Sequence, residues 1–179
     1  MNDPNSFDGA SSPVDGHAYD VRTQTLNLEE ARAQPSFSRP IALFEKWQSL
    51  PGNIPHHKNI SPAFVGVHVL PEMYILDIVN QQGTDVDFRW RLFGTAHSDR
   101  YGKEATGVLL SEAASRDQSA AGSYKVALKV IHTHEPAFFL TEFIENNAVH
   151  KSTSTVVMPL SDDTGKIGRL FGCSAWSKF

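Results

Sequence analysis

Histidine is the residue type in this sequence with the most evident potential for chemistry, since eight are present in 179 residues. Imidazole nitrogens bind transition metals and exchange protons near neutral pH. Zinc sites place such ligands at short, fixed spacings with acidic or cysteine partners nearby. The histidines here are dispersed over the chain and include no such pair on a predicted helix: His17, His56, His57, His68, His97, His132, His134 and His150. We therefore predict ordinary surface or loop histidines and no metal site.

Groups that perform nucleophilic catalysis are not gathered into a recognisable motif. The chain has no Gly-x-Ser-x-Gly elbow, no phosphate-binding glycine loop and no paired-carboxylate motif. Its single cysteine, Cys173, lies in a predicted strand, where a small buried apolar side chain is the ordinary role. We predict no catalytic residues and no enzymatic activity.

Composition narrows the class of protein further. A formal net charge of -4, from 20 acidic and 16 basic residues, argues against a nucleic-acid-binding surface. No apolar run is long enough to span a bilayer, and the first residues lack the basic start and apolar stretch of a signal peptide. A lone cysteine cannot form an internal disulfide, which suits a reducing compartment. These observations predict a soluble cytoplasmic protein that contacts neither nucleic acid nor membrane.

The clearest structural element is the segment 85–95, whose side chains alternate strictly between apolar and charged. Because successive side chains of a strand point to opposite faces, this pattern predicts one half-buried strand. Its predicted buried face carries Val86, Phe88, Trp90 and Leu92, and its predicted wet face carries Asp85, Asp87, Arg89 and Arg91. Asp77 of the preceding predicted strand either forms an ion pair with Arg91 or leaves Arg91 free to bind an anionic ligand.

The remaining elements are predicted from hydrophobic periodicity and from the residues that start and end helices and strands. Residues 1–36 are rich in polar residues, glycine and proline, so we expect them to be disordered. Order should begin near residue 37, with a helix at 40–50 that carries Ile41, Phe44 and Trp47 on one face. The best helix is 118–134, and Tyr124, Leu128 and Ile131 share its apolar face. Further strands are predicted at 73–79, 137–145, 151–160 and 167–177.

Several short motifs occur along the chain in a characteristic order. They are Ser61-Pro62, Leu70-Pro71, Leu76-Asp77, the segment from Phe88 to Thr95, Gly102, Thr106-Gly107, Glu135-Pro136, and the segment from Pro159 to Asp163. In this order and spacing, residues from about 38 to 179 resemble a PAS domain. The resemblance is to the bacterial PAS family whose members are often a single stand-alone domain. It implies an α+β fold with a five-stranded antiparallel sheet, short helices, one longer helix across one face and, here, an added N-terminal helix.

The resemblance implies a non-catalytic sensory or regulatory domain that binds a small ligand or a signalling protein partner. The residues we expect at a ligand pocket are Trp90, Arg91, Tyr124, Leu128, Ile131 and Met158. The alternative is a purely structural interaction module with a fully packed core. A closed pocket of a few hundred cubic ångströms behind Trp90 and Tyr124 would distinguish the two.

Cofactor binding is a weaker alternative. Some PAS sensors hold haem through a mid-helix histidine, but the corresponding core-facing positions here are Tyr124 and Leu128. His134 is the nearest substitute ligand, so a haem or redox sensor is the least favoured hypothesis. Photoreceptor PAS domains use a cysteine in the short-helix region, which has none here. We predict no cofactor.

The strand 137–145 is apolar on both sides, with Phe139 and Phe143 on one face and Phe138, Leu140 and Ile144 on the other. A strand in a sheet with one solvent-exposed face should not be apolar on both faces. We therefore expect another element to cover the outer face of this strand. We expect the helix 40–50 to be that element, through Ile41, Phe44 and Trp47. Together with Phe139 and Phe143, these residues form the predicted homodimer face, although packing within one chain would satisfy the same side chains.

Overall fold

The computed structural model describes residues 11–80 and 85–178. Its centre is a curled antiparallel sheet with the strand order β1-β2-β5-β6-β7-β3-β4. The strands are β1 (Ser12–Val14), β2 (His17–Leu26), β3 (Met73–Val79), β4 (Asp87–Phe93), β5 (Ala137–Glu145), β6 (Ala148–Ser161) and β7 (Ile167–Lys178). The five strands β3 to β7 are those predicted from the sequence, and β1 and β2 are additional.

Helices pack on both faces of this sheet. They are α1 (Leu28–Arg32), α2 (Ser38–Gln48), α3 (Pro62–Val65), α4 (Thr95–Tyr101), α5 (Leu110–Ala114) and α6 (Gln118–Thr133). The longest, α6, is capped at its N-terminus by Asp117, whose side chain accepts hydrogen bonds from the amides of Ser119 and Ala120. Its C-terminal cap is His134, which adopts the left-handed conformation typical of a helix terminus, with φ of 61°. The predicted α+β fold with short helices and one longer helix is confirmed.

Two hydrophobic clusters lie on opposite faces of the sheet. The inner cluster joins α5 and α6 to the sheet through side chains such as Leu110, Val130 and Phe88. The outer cluster joins α2 to the sheet through Leu43, Phe44 and Trp47. Both faces of the central strands are therefore covered, and this explains why β6 is buried over most of its length.

The N-terminal segment differs from the expectation of disorder through residue 36. Residues 12–26 form the antiparallel pair β1–β2, and β2 pairs along β5 from Asp20 opposite Ile144 to Leu26 opposite Phe138. Ser12, Val14 and Tyr19 are buried, so the segment gains both backbone pairing and apolar contact. The expectation overlooked that an edge strand needs few apolar residues, because its backbone bonds and one buried face suffice. Residues 1–10 lie outside the described residues.

A β-bulge interrupts the alternation predicted for β4. Ile75 pairs with Leu92 whereas Leu76 pairs with Trp90, so Arg91 is an extra residue on β4. The prediction that Val86, Phe88 and Trp90 face one interior is confirmed, since all three pack in the inner cluster. The same prediction was wrong for Leu92, which packs against the outer cluster. A bulge adds one residue and so reverses the side-chain alternation beyond it.

The apolar strand β5 is covered on both faces within the chain. Phe138 packs edge-on against Phe44 of α2, with ring centroids 5.2 Å apart. Trp47 of α2 is also buried, and its Nε1 donates a hydrogen bond to the carbonyl of Pro159 at 3.0 Å. Ile41 is half-buried against the same cluster. The helix therefore covers the outer sheet face of its own chain. The apolar face of α2 that suggested a dimer is thus already covered within one chain.

The placement of Phe139 and Phe143 on that outer face was wrong. Phe139 belongs to the inner cluster, and Phe143 is buried beside Val14 and Tyr19 on the same side. Phe143 also stacks on Trp176 with centroids 5.4 Å apart. The sequence pattern identified two apolar faces but contained no signal for which of them faced α6.

Candidate functional site

A cavity of about 80 Å³ lies between the inner face of the sheet and helices α4, α5 and α6. This is several times the space that one water molecule requires, but it is smaller than the few hundred cubic ångströms expected from the sequence. Its wall is mixed in character, combining aromatic rings, small apolar groups and many hydroxyls. The residues that carry the argument below are Trp90, Phe93, His97, Tyr101, Lys103, Asp117, Ser119, Thr141, Thr153, Thr155, Ser174 and Trp176.

The sheet contributes a wall of hydroxyl groups to the cavity. Thr141 of β5 pairs with Thr153 of β6, and Thr155 of β6 pairs with Ser174 of β7. The Thr155 hydroxyl donates to Ser174 at 2.8 Å. Thr141 and Thr153 are only 3% and 6% exposed, yet their hydroxyls make no hydrogen bond to another described residue. Both residues line the cavity, and every fully buried side-chain oxygen of the described residues has a partner, so these two hydroxyls reach the open space and can bind a polar molecule there.

Aromatic rings form the opposite end of the cavity. Trp90 and Phe93 of β4 meet edge-on with centroids 5.0 Å apart. Tyr101 of α4 lies near Phe93 at 6.2 Å and near Trp176 of β7 at 5.7 Å. The bulge in β4 makes this possible, since it places both Trp90 and Phe93 on the cavity side. Together the rings provide an apolar surface suited to the carbon skeleton of a small ligand.

His97 is the buried histidine of this site and is only 4% exposed. Gly94 starts its helix against β3, where a Cβ atom would lie 2.7 Å from the Met73 carbonyl oxygen. The His97 Nε2 donates to the Glu72 carbonyl at 2.8 Å, and its Nδ1 accepts from the Trp176 Nε1 at 3.2 Å. Burial lowers the pKa of His97 to about 4, against a weaker opposing effect of the Glu72 bond. His97 is therefore a neutral wall residue with both ring nitrogens engaged.

Asp117 brings a carboxylate to the cavity wall while capping α6. Its Oδ1 accepts from the Ser12 hydroxyl at 2.5 Å and from the Ser119 hydroxyl at 2.7 Å, in addition to the amides of Ser119 and Ala120. Its Oδ2 accepts no hydrogen bond from any described residue, although the side chain is only 3% exposed. Burial and then the negative charge of Asp117 raise the pKa of the neighbouring Tyr101.

The residues predicted to line a pocket are not all brought together. Trp90 lines the cavity. Tyr124, Leu128 and Ile131 pack against the inner cluster elsewhere, and the Tyr124 hydroxyl donates to the Val86 carbonyl at 2.8 Å. Met158 is buried in the outer cluster, on the far side of the sheet, because its neighbour Val157 faces inward.

Arg91 also lies away from the cavity. It is half exposed, and its Nη1 donates to the Asp77 Oδ2 at 3.3 Å. Asp77 accepts a second bond from Arg169 at 2.9 Å. The ion-pair interpretation of Asp77 and Arg91 therefore matches the geometry, whereas the anion-anchor interpretation placed Arg91 in a pocket that it does not line.

Most of the cavity wall was missed from the sequence. In the run Ser152-Thr153-Ser154-Thr155, two hydroxyl side chains point to each face of β6. The sequence therefore does not indicate which face of the strand lines a polar cavity. His97 and Asp117 looked like surface residues of short helices. The available signal for Asp117 was its position before the first turn of α6, where aspartate is a favoured cap.

Side chains that could bind a metal ion are dispersed over the described part of the chain. Among residues 11–80 and 85–178, no three His, Cys, Asp or Glu side chains are placed to share a metal ion. His134 is exposed at the end of α6 and does not line the cavity. No helix in these ranges combines the length and hydrophobicity needed to cross a bilayer.

A curled antiparallel sheet with α6 and short helices over one face, enclosing a small mixed cavity, defines a PAS-type sensory domain. The family model described as a PAS domain matches residues 36–175, and the chain belongs to this family. No curated protein matches the chain, and no solved structure does.

Proposed function

We propose that this protein is a non-catalytic regulatory sensor that binds a small molecule in the cavity between the sheet and α4–α6. The observation that carries the proposal is the pair of buried hydroxyls, Thr141 and Thr153, which face the cavity without a partner in the described chain. Each hydroxyl oxygen reaches the open space of the cavity, since every fully buried side-chain oxygen of the described residues has a hydrogen-bond partner. A ligand that bonds both hydroxyls gains about 0.5–1.5 kcal/mol from each bond.

The output of such a sensor is a binding event with a signalling protein. PAS domains commonly act as interaction modules, and no catalytic motif was identified in this sequence. Homodimer formation stays a prediction, although α2 no longer supports it, since its apolar face is covered within the chain. Light scattering of the full chain tests that prediction. A cytoplasmic location is the expectation from the single unpaired cysteine, Cys173.

Ligand-observed NMR on the full chain tests the sensor proposal, using a library of small neutral, cationic, anionic and zwitterionic compounds. Ala120 lines the cavity from α6, so Ala120→Leu fills part of the space with a helix-compatible side chain. We expect library binding to the wild type and at least tenfold weaker binding to Ala120→Leu. Lys125→Leu is the matched control, because this α6 position is exposed and outside the cavity. Binding that is absent, or unchanged in Ala120→Leu, contradicts the proposal.

A further inference from the structure

Two charged side chains of opposite sign line the cavity. Asp117 is deeply buried at the start of α6, and Lys103 is exposed at the start of the loop after α4. His97 also lines the wall but is neutral, because both of its ring nitrogens are engaged and burial disfavours its charged form. Within the described ranges, no ion pair joins Asp117 to Lys103. The cavity therefore presents one negative and one positive charge to whatever occupies it.

The two oxygens of Asp117 are used very differently. Oδ1 receives all four of the hydrogen bonds that hold the N-terminus of α6 and the hydroxyl of Ser12. These donors stabilise a carboxylate, as does the positive end of the helix dipole. Oδ2 receives none from the described chain. The Asp117 residue is more than nine-tenths buried, yet it lines the cavity, so its Oδ2 is a site for a ligand that supplies a donor.

The surroundings of Asp117 favour an ammonium group as that donor. Tyr101 lines the same part of the wall, with Phe93 and Trp176 next to it. Aromatic ring faces attract cations, and the attraction is larger where water is excluded. One face of Trp176 is already covered by the Arg100 guanidinium at 5.8 Å, so Tyr101 and Phe93 are the rings available to a ligand.

A ligand with only an ammonium group would be attracted by Asp117 but repelled by Lys103. A ligand with only a carboxylate would be attracted by Lys103 but repelled by Asp117. We propose that the ligand is a small zwitterion of the amino-acid type, with its ammonium group on Asp117 and its carboxylate toward Lys103. This inference rests on the proposed ligand-binding function. The unpaired hydroxyls of Thr141 and Thr153 supply further bonds, and the volume of about 80 Å³ selects a short side chain.

Calorimetric titration of the full chain with glycine and L-alanine tests this inference. Each charge is removed from the ligand in turn: L-alaninamide lacks the carboxylate, and both N-acetyl-L-alanine and L-lactate lack the ammonium group. We expect binding of glycine or L-alanine, with each analogue at least about tenfold weaker. Equal or stronger binding of a singly charged or neutral compound overturns the zwitterion but leaves the sensor proposal intact. Failure of every compound in this panel overturns the zwitterion, while the wider library still tests the sensor.

Two variants connect the ligand charges to their proposed partners. Asp117→Asn removes the charge but keeps an effective helix cap, so the domain should fold. It should abolish the preference for L-alanine over L-lactate. Lys103→Gln, at an exposed position, should abolish the preference for L-alanine over L-alaninamide. Asp99→Asn and Lys125→Gln are matched controls at exposed positions outside the cavity and should change neither preference. Unchanged preferences in Lys103→Gln overturn the inference, even if Asp117→Asn fails to fold.

Discussion

The indole Nε1 of Trp176 donates a hydrogen bond to the Nδ1 of His97 at 3.2 Å, which links the last strand of the sheet to helix α4. The other ring nitrogen of His97 donates to the Glu72 carbonyl just before β3. A protonated His97 would carry hydrogen on both nitrogens and would lose the bond from Trp176. The bond between these two side chains therefore requires the neutral imidazole.

This requirement predicts that the protein loses stability as the pH falls through the weakly acidic range. Burial lowers the pKa of His97 from 6.5 to about 4 in the folded state. Well above pH 6.5 both the folded and the unfolded state hold a neutral imidazole, so the stability contribution is complete. Between pH 6.5 and 4 only the unfolded state takes up the proton, and about 3 kcal/mol is lost. Urea denaturation at a series of pH values measures this loss.

A comparison of histidine variants assigns that pH dependence to one residue. His97→Gln keeps a donor and an acceptor but has no titratable ring, so its stability should vary less between pH 6.5 and 4. His17→Gln, at an exposed position of β2, should keep the wild-type pH dependence. Equal slopes for wild type and His97→Gln would show that His97 is not the group responsible.

Truncation of the two large aromatics of β4 should have unequal costs. Phe88 is completely buried in the inner cluster, whereas Trp90 is half-buried and lines the cavity. We expect Phe88→Ala to cost about 3–5 kcal/mol, and Trp90→Ala to cost about 1–3 kcal/mol because part of its surface already faces open space. Chemical denaturation of both variants measures the difference. A larger cost for Trp90→Ala would indicate that the cavity is closed around its ring.

Deletion of residues 1–26 should lower the melting temperature substantially. The deletion removes β1 and β2, uncovers the β5 edge and strips Val14 and Tyr19 from Phe143. A chain that begins at residue 11 is the control, because it retains both strands. Thermal unfolding by circular dichroism compares the two, and equal melting temperatures would mean that the β1–β2 pair contributes little.

Ser12→Ala isolates one contact of the same segment. The Ser12 hydroxyl donates to Asp117 at 2.5 Å and accepts from the amide of Ser119 at 3.0 Å. Removing it leaves buried groups at the start of α6 short of one partner, which should cost about 1–3 kcal/mol. Ser11→Ala, at an exposed neighbouring position, should change stability by less than about 0.5 kcal/mol. Urea denaturation distinguishes the two variants.

Gly122 allows α6 to approach β2, and this predicts an unusual cost for alanine. A Cβ atom there would overlap the Thr23 hydroxyl and lie 3.1 Å from the Thr23 Cβ. Gly122→Ala should therefore destabilise the protein, although alanine is normally preferred over glycine in a helix by about 1 kcal/mol. Thr23→Ala relieves the worst overlap, so the double variant should be more stable than the sum of the single effects. A strictly additive double variant would argue against this contact.

The sequence predicted the family fold because its signals are local and redundant. The strand through Phe88 and Trp90, the helix whose apolar face carries Tyr124 and Leu128, and the turn rich in Asp and Gly before β7 are each marked by composition or periodicity. The motif order then supplied the arrangement of the five strands. These parts follow from patterns within a single element.

The errors concern relationships between elements, which periodicity does not encode. The bulge opposite Leu76 reverses the face of Leu92 without changing the alternation of apolar and charged residues. Met158 and Val157 are both apolar, so the sequence does not distinguish the residue facing α6 from the one facing α2. The hydroxyls of Thr141 and Thr153 resemble solvent-facing positions although they line a cavity.

The pairing of β2 with β5 has a consequence for synthesis of the chain. Arg22 and its ion-pair partner Glu142 are 120 residues apart in sequence. At typical translation rates β2 leaves the ribosome on the order of ten seconds before its partner strand is made. An unpaired apolar strand would be prone to aggregate during that interval. Residues 11–26 are polar in composition, which is why the sequence suggested disorder. The same composition keeps this unpaired segment soluble until β5 has been synthesised.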